Sequence, residues 1–310
     1  MEVFEAVFPI VAISVFGYVM TRREVISEAE SLSLEKFTFA FLVPCLLFLG
    51  TATARLPEIM DWYFMLAFYL AVFLVYLLGM LISRLLYGYQ ALGQSVFGMA
   101  GAYSNVTVLG VPICLELLGQ EAFVPMFIII AVHNMLIFAF GTLLAERREQ
   151  SGSSLLKHVG RVMKDMLRNP ISGSLLAGGL INILGIPVYQ PLLEVLSLFS
   201  RAAVPAALFA VGAALTRYRI RGEVVPALIM VCLKLVILPL LMWFLMFRIF
   251  NIDSLWATTA VLLSSMPVGI SVYVFSKRYR SCETQVAAAL VFSSLLAVPV
   301  VSVIAYLLHR

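Results

Sequence analysis

Polar and helix-breaking residues interrupt two long apolar segments of this 310-residue chain, at residues 102–113 (AYSNVTVLGVPI) and 264–273 (SSMPVGISVY). Each proline removes a backbone donor and clashes with the preceding turn, so a helix should break at both places. In hydrocarbon, the released backbone groups need new partners. The second half of each broken helix begins with unpaired N–H groups at the positive end of its dipole, and such groups bind anions. The two breaks therefore predict an anion-binding site.

Asn105 is the residue in these breaks that we expect to contact the anion through its side chain, because an amide can donate a hydrogen bond to a carboxylate. The alternative is that Asn105 holds neighbouring helices together, as asparagines inside membranes often do. The expected substrate-binding residues, taken from both breaks, are Asn105, Thr107, Gly110, Pro112, Pro267, Gly269 and Ser271.

Lys234 lies about ten residues inside another apolar segment, where a cation costs about 2.5–3.5 kcal/mol on insertion scales. It should therefore face the protein interior. There it could supply positive charge to the site, replace a coupling cation, or donate to backbone carbonyls released by Pro239 or by a break, and the sequence leaves these alternatives open. His133 and Asn134 could each support a break or only pack against neighbouring helices; support is the expected role of Asn134, and the role of His133 is left open. Arg201, near the outer end of its span, is expected to extend its charged group to the membrane interface, and a further role for it is left open.

The composition is that of an all-α integral membrane protein. Hydrophobic residues make up 62% of the chain and charged residues 12%, whereas soluble domains carry about 25% charged residues. Apolar runs of roughly 20 residues, the length that crosses a bilayer as a helix, recur along the whole chain. The ten predicted membrane spans are residues 3–20, 37–54, 62–83, 95–118, 123–145, 170–187, 197–215, 224–247, 254–276 and 284–308.

The loop charges predict the orientation of these spans. Loops after the odd-numbered spans contain 16 Lys and Arg residues, whereas the other loops and the C-terminal tail contain 3. Because basic loops stay in the cytoplasm, both termini are expected outside. The longest loop, residues 146–168, has apolar residues at helical spacing between basic ones. It is either an amphipathic helix on the inner leaflet or a solvated linker helix.

The two halves of the chain share a pattern. A Val-Pro pair in span 2 (Pro44) and in span 7 (Pro205) is followed by Phe and Gly, and a proline in a broken span comes 68 residues later in the first half and 62 in the second. Because five spans are an odd number, the second copy would enter the membrane from the opposite side, as in transporters with inverted repeats. The predicted units are two inverted five-helix repeats with broken crossover helices 4 and 9: residues 1–145 and 169–310, joined by the linker 146–168.

Four segments of the chain carry a resemblance to a known family: residues 104–112 (SNVTVLGVP), 168–170 (RNP), 204–209 (VPAALF) and 266–279 (MPVGISVYVFSKRY). They resemble the auxin efflux carriers, a family of plant auxin exporters and bacterial organic-acid permeases, and the likeness extends over all ten spans. The resemblance implies a homodimeric carrier that works as an elevator, with spans 1, 2, 6 and 7 as the scaffold and spans 3–5 and 8–10 as the moving part.

Two departures from the family pattern bear on function. Many bacterial members have Asn where this chain has Ser271, and a hydroxyl offers fewer hydrogen bonds than an amide. The identity of the substrate therefore does not follow from the resemblance. The long hydrophilic central loop of many plant members is absent, as it is in bacterial members, which suggests a protein of a bacterial inner membrane.

The sequence best fits a secondary carrier of small organic anions, such as auxin-like carboxylates or dicarboxylates. A sodium-coupled carrier related to the bile-acid symporters is an alternative, but no Asp or Glu lies in the middle of a span, where a coupling ion is usually bound. A membrane sensor is a second alternative. An intramembrane enzyme is not supported, because the chain lacks the Gly-x-Ser-Gly and His-Glu-x-x-His patterns. The expected partners are the substrate anion, the bilayer and a second copy of the chain, with no cofactor, no metal and no nucleic acid.

Overall fold

The computed structural model describes residues 2–54, 61–146, 169–217 and 224–308, and these residues are almost entirely helical. The predicted amphipathic helix of the linker lies outside the described residues. The α-helices are α1 (Glu2–Arg22), α2 (Glu28–Phe37), α3 (Val43–Thr53), α4 (Trp62–Tyr87), α5 (Ala91–Ala102), α6 (Val111–Leu118), α7 (Phe123–Glu146), α8 (Pro170–Ile183), α9 (Gln190–Leu215), α10 (Val224–Cys232), α11 (Leu238–Phe244), α12 (Ser254–Ser264), α13 (Ile270–Arg278) and α14 (Glu283–Leu308). Wider π-helical turns lie at Thr38–Leu42, Val106–Gly110, Leu233–Ile237 and Leu245–Ile249.

Several of these helices are long and apolar enough to cross a membrane. Within the described residues there are five, namely Glu28–Thr53, Trp62–Tyr87, Gln120–Gly141, Gln190–Leu215 and Val224–Ile249, and α14 adds a sixth although it bends by 46° between Ala297 and Pro299. Shorter apolar helices, among them Val106–Leu118 and Ser254–Ser264, flank the two breaks. At 1.5 Å per residue, an 11-residue helix such as α12 reaches only about halfway across ~30 Å of hydrocarbon. The chain is thus an all-helical membrane protein, whereas the count of ten spans stays a prediction.

Contacts divide the chain into two compact units, and each unit draws on both halves of the sequence. The described residues of the first unit are 2–54, 111–135 and 169–217. Those of the second unit are 61–110, 136–146 and 224–308. The division falls between Gly110, the last residue of the π-helical turn, and Val111, the first residue of α6, and again within α7.

In the first unit, glycines let helix backbones approach closely. A Cβ atom on Gly17 of α1 would lie 2.1 Å from the carbonyl oxygen of Phe209 in α9, and one on Gly212 would lie 1.8 Å from the carbonyl oxygen of Ser14. Small residues at such crossings are typical of membrane helices, because packing rather than the hydrophobic effect holds them together. The same unit contains an ion pair between Arg217 and Glu35.

In the second unit, α4 packs against α5, and Tyr76 is fully buried at this contact. Its hydroxyl lies 2.7 Å from the hydroxyl of Ser95, and its ring meets Phe140 edge to face. The two breaks predicted from the sequence, from α5 to Gly110 and from α12 to α13, both lie in this unit. The unit therefore contains the features that position the candidate site.

Candidate functional site

Both apolar helices break where the sequence predicts, although the two breaks differ in form. In the first, α5 ends at Ala102, the next residues are extended, and the chain resumes as the π-helical turn Val106–Gly110. In the second, α12 ends at Ser264 and α13 begins at Ile270. Each break thus produces a short non-helical segment inside an apolar sequence.

The two non-helical segments pair with each other as a minimal antiparallel ladder. Ser104 and Val268 form the bridge at its centre. The N–H of Asn105 donates to the carbonyl of Pro267 at 2.9 Å, and the N–H of Gly269 donates to the carbonyl of Tyr103 at 3.1 Å. The segments therefore satisfy backbone groups that hydrocarbon would leave without partners. The N–H groups of Asn105 and Gly269 are therefore paired, because the opposite segment supplies their acceptors.

The N-terminus of α13 lacks a side-chain cap, because its N-cap residue is a glycine. Gly269 precedes the helix with an extended backbone and makes no side-chain cap. In the part of the chain that the structure describes, no acceptor takes the backbone N–H of Ile270 or Ser271. These two donors stand at the positive end of the helix dipole, where an anion is favoured.

The Asn105 side chain is nearly buried, at 8% exposed. Its backbone carbonyl accepts from the N–H groups of Leu109 and Gly110, so the residue caps the π-helical turn through its main chain. None of the described residues forms a hydrogen bond with its amide. The hydrogen-bonding groups of this amide are therefore not engaged within the described part of the chain.

The two glycines of the site permit close packing. A Cβ atom on Gly269 would lie 2.3 Å from Cε1 of Tyr103, and one on Gly110 would lie 2.6 Å from Cδ2 of Leu263. Both distances are too short for a real Cβ atom. Pro267 has no N–H to offer, and its carbonyl is already engaged. These residues therefore set the geometry of the paired segments.

The remaining predicted residues lie in both units. Thr107 is buried in the π-helical turn. Ser271 is half-buried in the first turn of α13 and its side chain is hydrogen-bonded to Tyr103. Pro112 is buried in α6, which belongs to the first unit. Asn134 lies in α7, and its side chain is outside the described residues.

Of the residues that the sequence left undecided, His133 is fully buried in α7, in the first unit. Arg201 is exposed on α9. The structure places neither of them among the paired segments of the second unit.

Lys234 lies in the π-helical segment Leu233–Ile237, and its side chain is fully buried. Its ammonium donates to the carbonyl oxygen of Ser264, the last residue of α12. The structure thus connects Lys234 to the second break by a direct bond to a backbone carbonyl, one of the alternatives that the sequence left open.

Sequence reasoning did not single out three serines that support the breaks. The hydroxyl of Ser104 also reaches the Ser264 carbonyl, at 3.4 Å, and the hydroxyl of Ser293 in α14 accepts from the N–H of Val268 at 3.0 Å. The sequence could have indicated Ser104 and Ser264, because both serines lie directly beside a break. It could not have indicated Ser293, which lies 25 residues from its partner Val268.

Apolar helices that break within the membrane-spanning part of a chain are a feature of many membrane transporters. The comparison with protein families agrees: the family model described as "Membrane transport protein" matches residues 2–305. The chain therefore belongs to this family, and the resemblance to the auxin efflux carriers is confirmed.

Two curated relatives align with almost the whole chain. A protein of Rhizobium meliloti (strain 1021) named "Putative malonate transporter" is 26% identical over 315 residues, which cover 99% of this chain and 96% of the relative. The "Lysosomal cholesterol signaling protein" of Mus musculus is 24% identical over 333 residues, covering 99% of this chain but only 37% of the mouse protein.

Proposed function

We propose that this protein is a secondary carrier of small organic anions, and that the carboxylate of the substrate binds at the paired breaks. The observation that carries the proposal is the side chain of Asn105, a residue only 8% exposed, whose amide has no hydrogen-bond partner among the described residues. It belongs to the same paired segments as the uncapped N-terminus of α13. An amide donor and two backbone N–H groups suit a carboxylate, which accepts several hydrogen bonds.

The relative from Rhizobium meliloti supplies a first choice of substrate. Its name refers to malonate, and it matches this chain from end to end. A three-carbon dicarboxylate could place one carboxylate on these donors. We therefore propose mono- and dicarboxylates as the substrate class and malonate as the first compound to test.

The proposed mechanism is an elevator in which the second unit carries the site across the membrane while the first unit stays fixed in a homodimer. The division of contacts supports this, since predicted spans 1, 2, 6 and 7 fall in the first unit and spans 3, 8, 9 and 10 fall in the second. Residues 111–135, which belong to predicted spans 4 and 5, group with the first unit instead. We further propose a bacterial inner-membrane location with both termini outside.

The test is uptake into proteoliposomes that contain the purified protein. Radiolabelled malonate, succinate, acetate and indole-3-acetate are offered outside, with protein-free liposomes as the control. A carrier should give saturable uptake of at least one of these anions, and unlabelled substrate inside should accelerate it. Uptake that equals the protein-free control for all four anions would contradict the proposal, and binding without uptake would favour a sensor.

A further inference from the structure

Each of the last four carbonyls of α12 accepts a hydrogen bond. A helix leaves its last four carbonyls without donors of its own. Here the Ser265 N–H reaches the carbonyls of Val261 and Leu262, and the Ser265 hydroxyl also donates to Leu262 at 2.7 Å. The N–H of Met266 donates to the carbonyl of Leu263 at 3.4 Å. Only the fourth carbonyl, that of Ser264, needs a donor from elsewhere.

Lys234 provides that donor, and Ser104 adds a weaker one. The ammonium is fully buried, and in the described part of the chain no carboxylate forms an ion pair with it. Its electrostatic partner is instead the negative end of the α12 dipole, equivalent to roughly half an elementary charge. A buried cation is costly unless such a partner is present, so the end of α12 and Lys234 stabilise each other.

In transporters with broken helices, half-helix C-terminal ends and unwound carbonyls are the groups that coordinate a coupling sodium ion or proton. We propose that Lys234 is a resident cation that holds the place of an inorganic coupling ion at the end of α12. The protein would then carry its own positive charge beside the anion site and need no bound sodium. This inference rests on the proposed carrier function, but it concerns a different bond and can be tested without substrate.

The substrate-free test measures thermal unfolding of the purified protein in sodium, potassium or choline chloride at equal ionic strength. The wild-type midpoint should be the same in all three salts, because the position is already filled. Lys234→Ala removes the ammonium and opens space at the Ser264 carbonyl. Its midpoint should fall, and sodium or ethylammonium chloride should restore part of the loss where choline does not. Lys234→Met is the matched control, since it fills the space with apolar atoms and should respond to neither cation.

Two results would overturn the inference. One is a sodium-specific rise of the wild-type unfolding midpoint, which would show that an inorganic cation site is still open. Because this measurement needs only the wild-type protein, it tests the inference even if the variants fail to fold. The other is a wild-type midpoint in Lys234→Ala with no response to cations. Neither depends on finding the transported anion, so failure of the carrier proposal remains a separate outcome.

Discussion

Replacing Asn105 by alanine should weaken carboxylate binding without weakening the fold. No described residue bonds to the amide, so its removal costs the described part of the chain no hydrogen bond. The backbone bond from Asn105 to Pro267 is kept, because alanine has the same N–H. A hydrogen bond to a charged group contributes roughly 1.5–3 kcal/mol. At about 1.4 kcal/mol per tenfold change, the Kd for the carboxylate should rise roughly 10- to 150-fold.

The chain offers a matched control in Asn182 of α8. Its amide donates to the carbonyls of Thr51 and Ala54, both at 2.7 Å. Asn182→Ala should therefore lower the midpoint of thermal unfolding and leave the Kd unchanged, which is the opposite pattern. The assay is a titration of each purified variant with the anion that gives the fastest uptake, combined with its unfolding curve.

The opposite result is that Asn105→Ala keeps the wild-type Kd while its unfolding midpoint falls as far as that of Asn182→Ala. In that case the amide would hold helices together, the alternative that the sequence left open, and the anion site would lie elsewhere. If Asn105→Ala loses both binding and stability, Asn105→Ser separates the two effects. Its hydroxyl can still donate to a carboxylate from a shorter side chain, so it should keep part of the binding.

Two further predictions concern the backbone of the site and the orientation of the chain. Gly269→Ala places a Cβ atom 2.3 Å from the buried Tyr103 ring, so overpacking should destabilise the protein by about 1–3 kcal/mol. Tyr103→Leu should relieve part of this loss in the double variant, and additive losses in thermal unfolding would argue against the contact. In a cysteine-free background, Tyr189→Cys should react with an impermeant thiol reagent added outside, because Tyr189 is 74% exposed. Ser281→Cys should react only after the membrane is permeabilised, and the reverse pattern would invert the topology.

The sequence was most informative where local chemistry decides the structure. Pro267 and Gly269 act on their own turn of backbone, and the second break indeed lies between α12, which ends at Ser264, and α13. The first break follows Ala102, well before Pro112, so its position matches the polar residues Ser104 and Asn105 rather than the proline. The depth of Lys234 in its apolar segment likewise predicted a buried side chain, which is fully buried in the structure. These features required only the identity and position of a few residues.

Features that depend on contacts between residues far apart in the chain could not be predicted from the sequence. Ser293 supports the second break from another helix, and its hydroxyl resembles that of any serine in an apolar helix. The ring of Tyr103 explains why position 269 is a glycine, yet the two residues are far apart in sequence. The division of α7 between two units also has no local signal, because the helix is apolar on both sides of it.

If the substrate carboxylate binds at the paired breaks as proposed, the pairing limits which groups there can contact it. It engages the N–H groups of Asn105 and Gly269 and the carbonyl of Pro267, so these backbone groups serve the fold and are not available to an anion. What remains is the Asn105 amide, the first turn of α13 and the hydrogen-bonded pair of Ser271 and Tyr103. Because only side chains in this set can change without breaking the pairing, differences in substrate preference between relatives should follow from the residues at positions 105 and 271, whereas changes at the glycines should first lower stability.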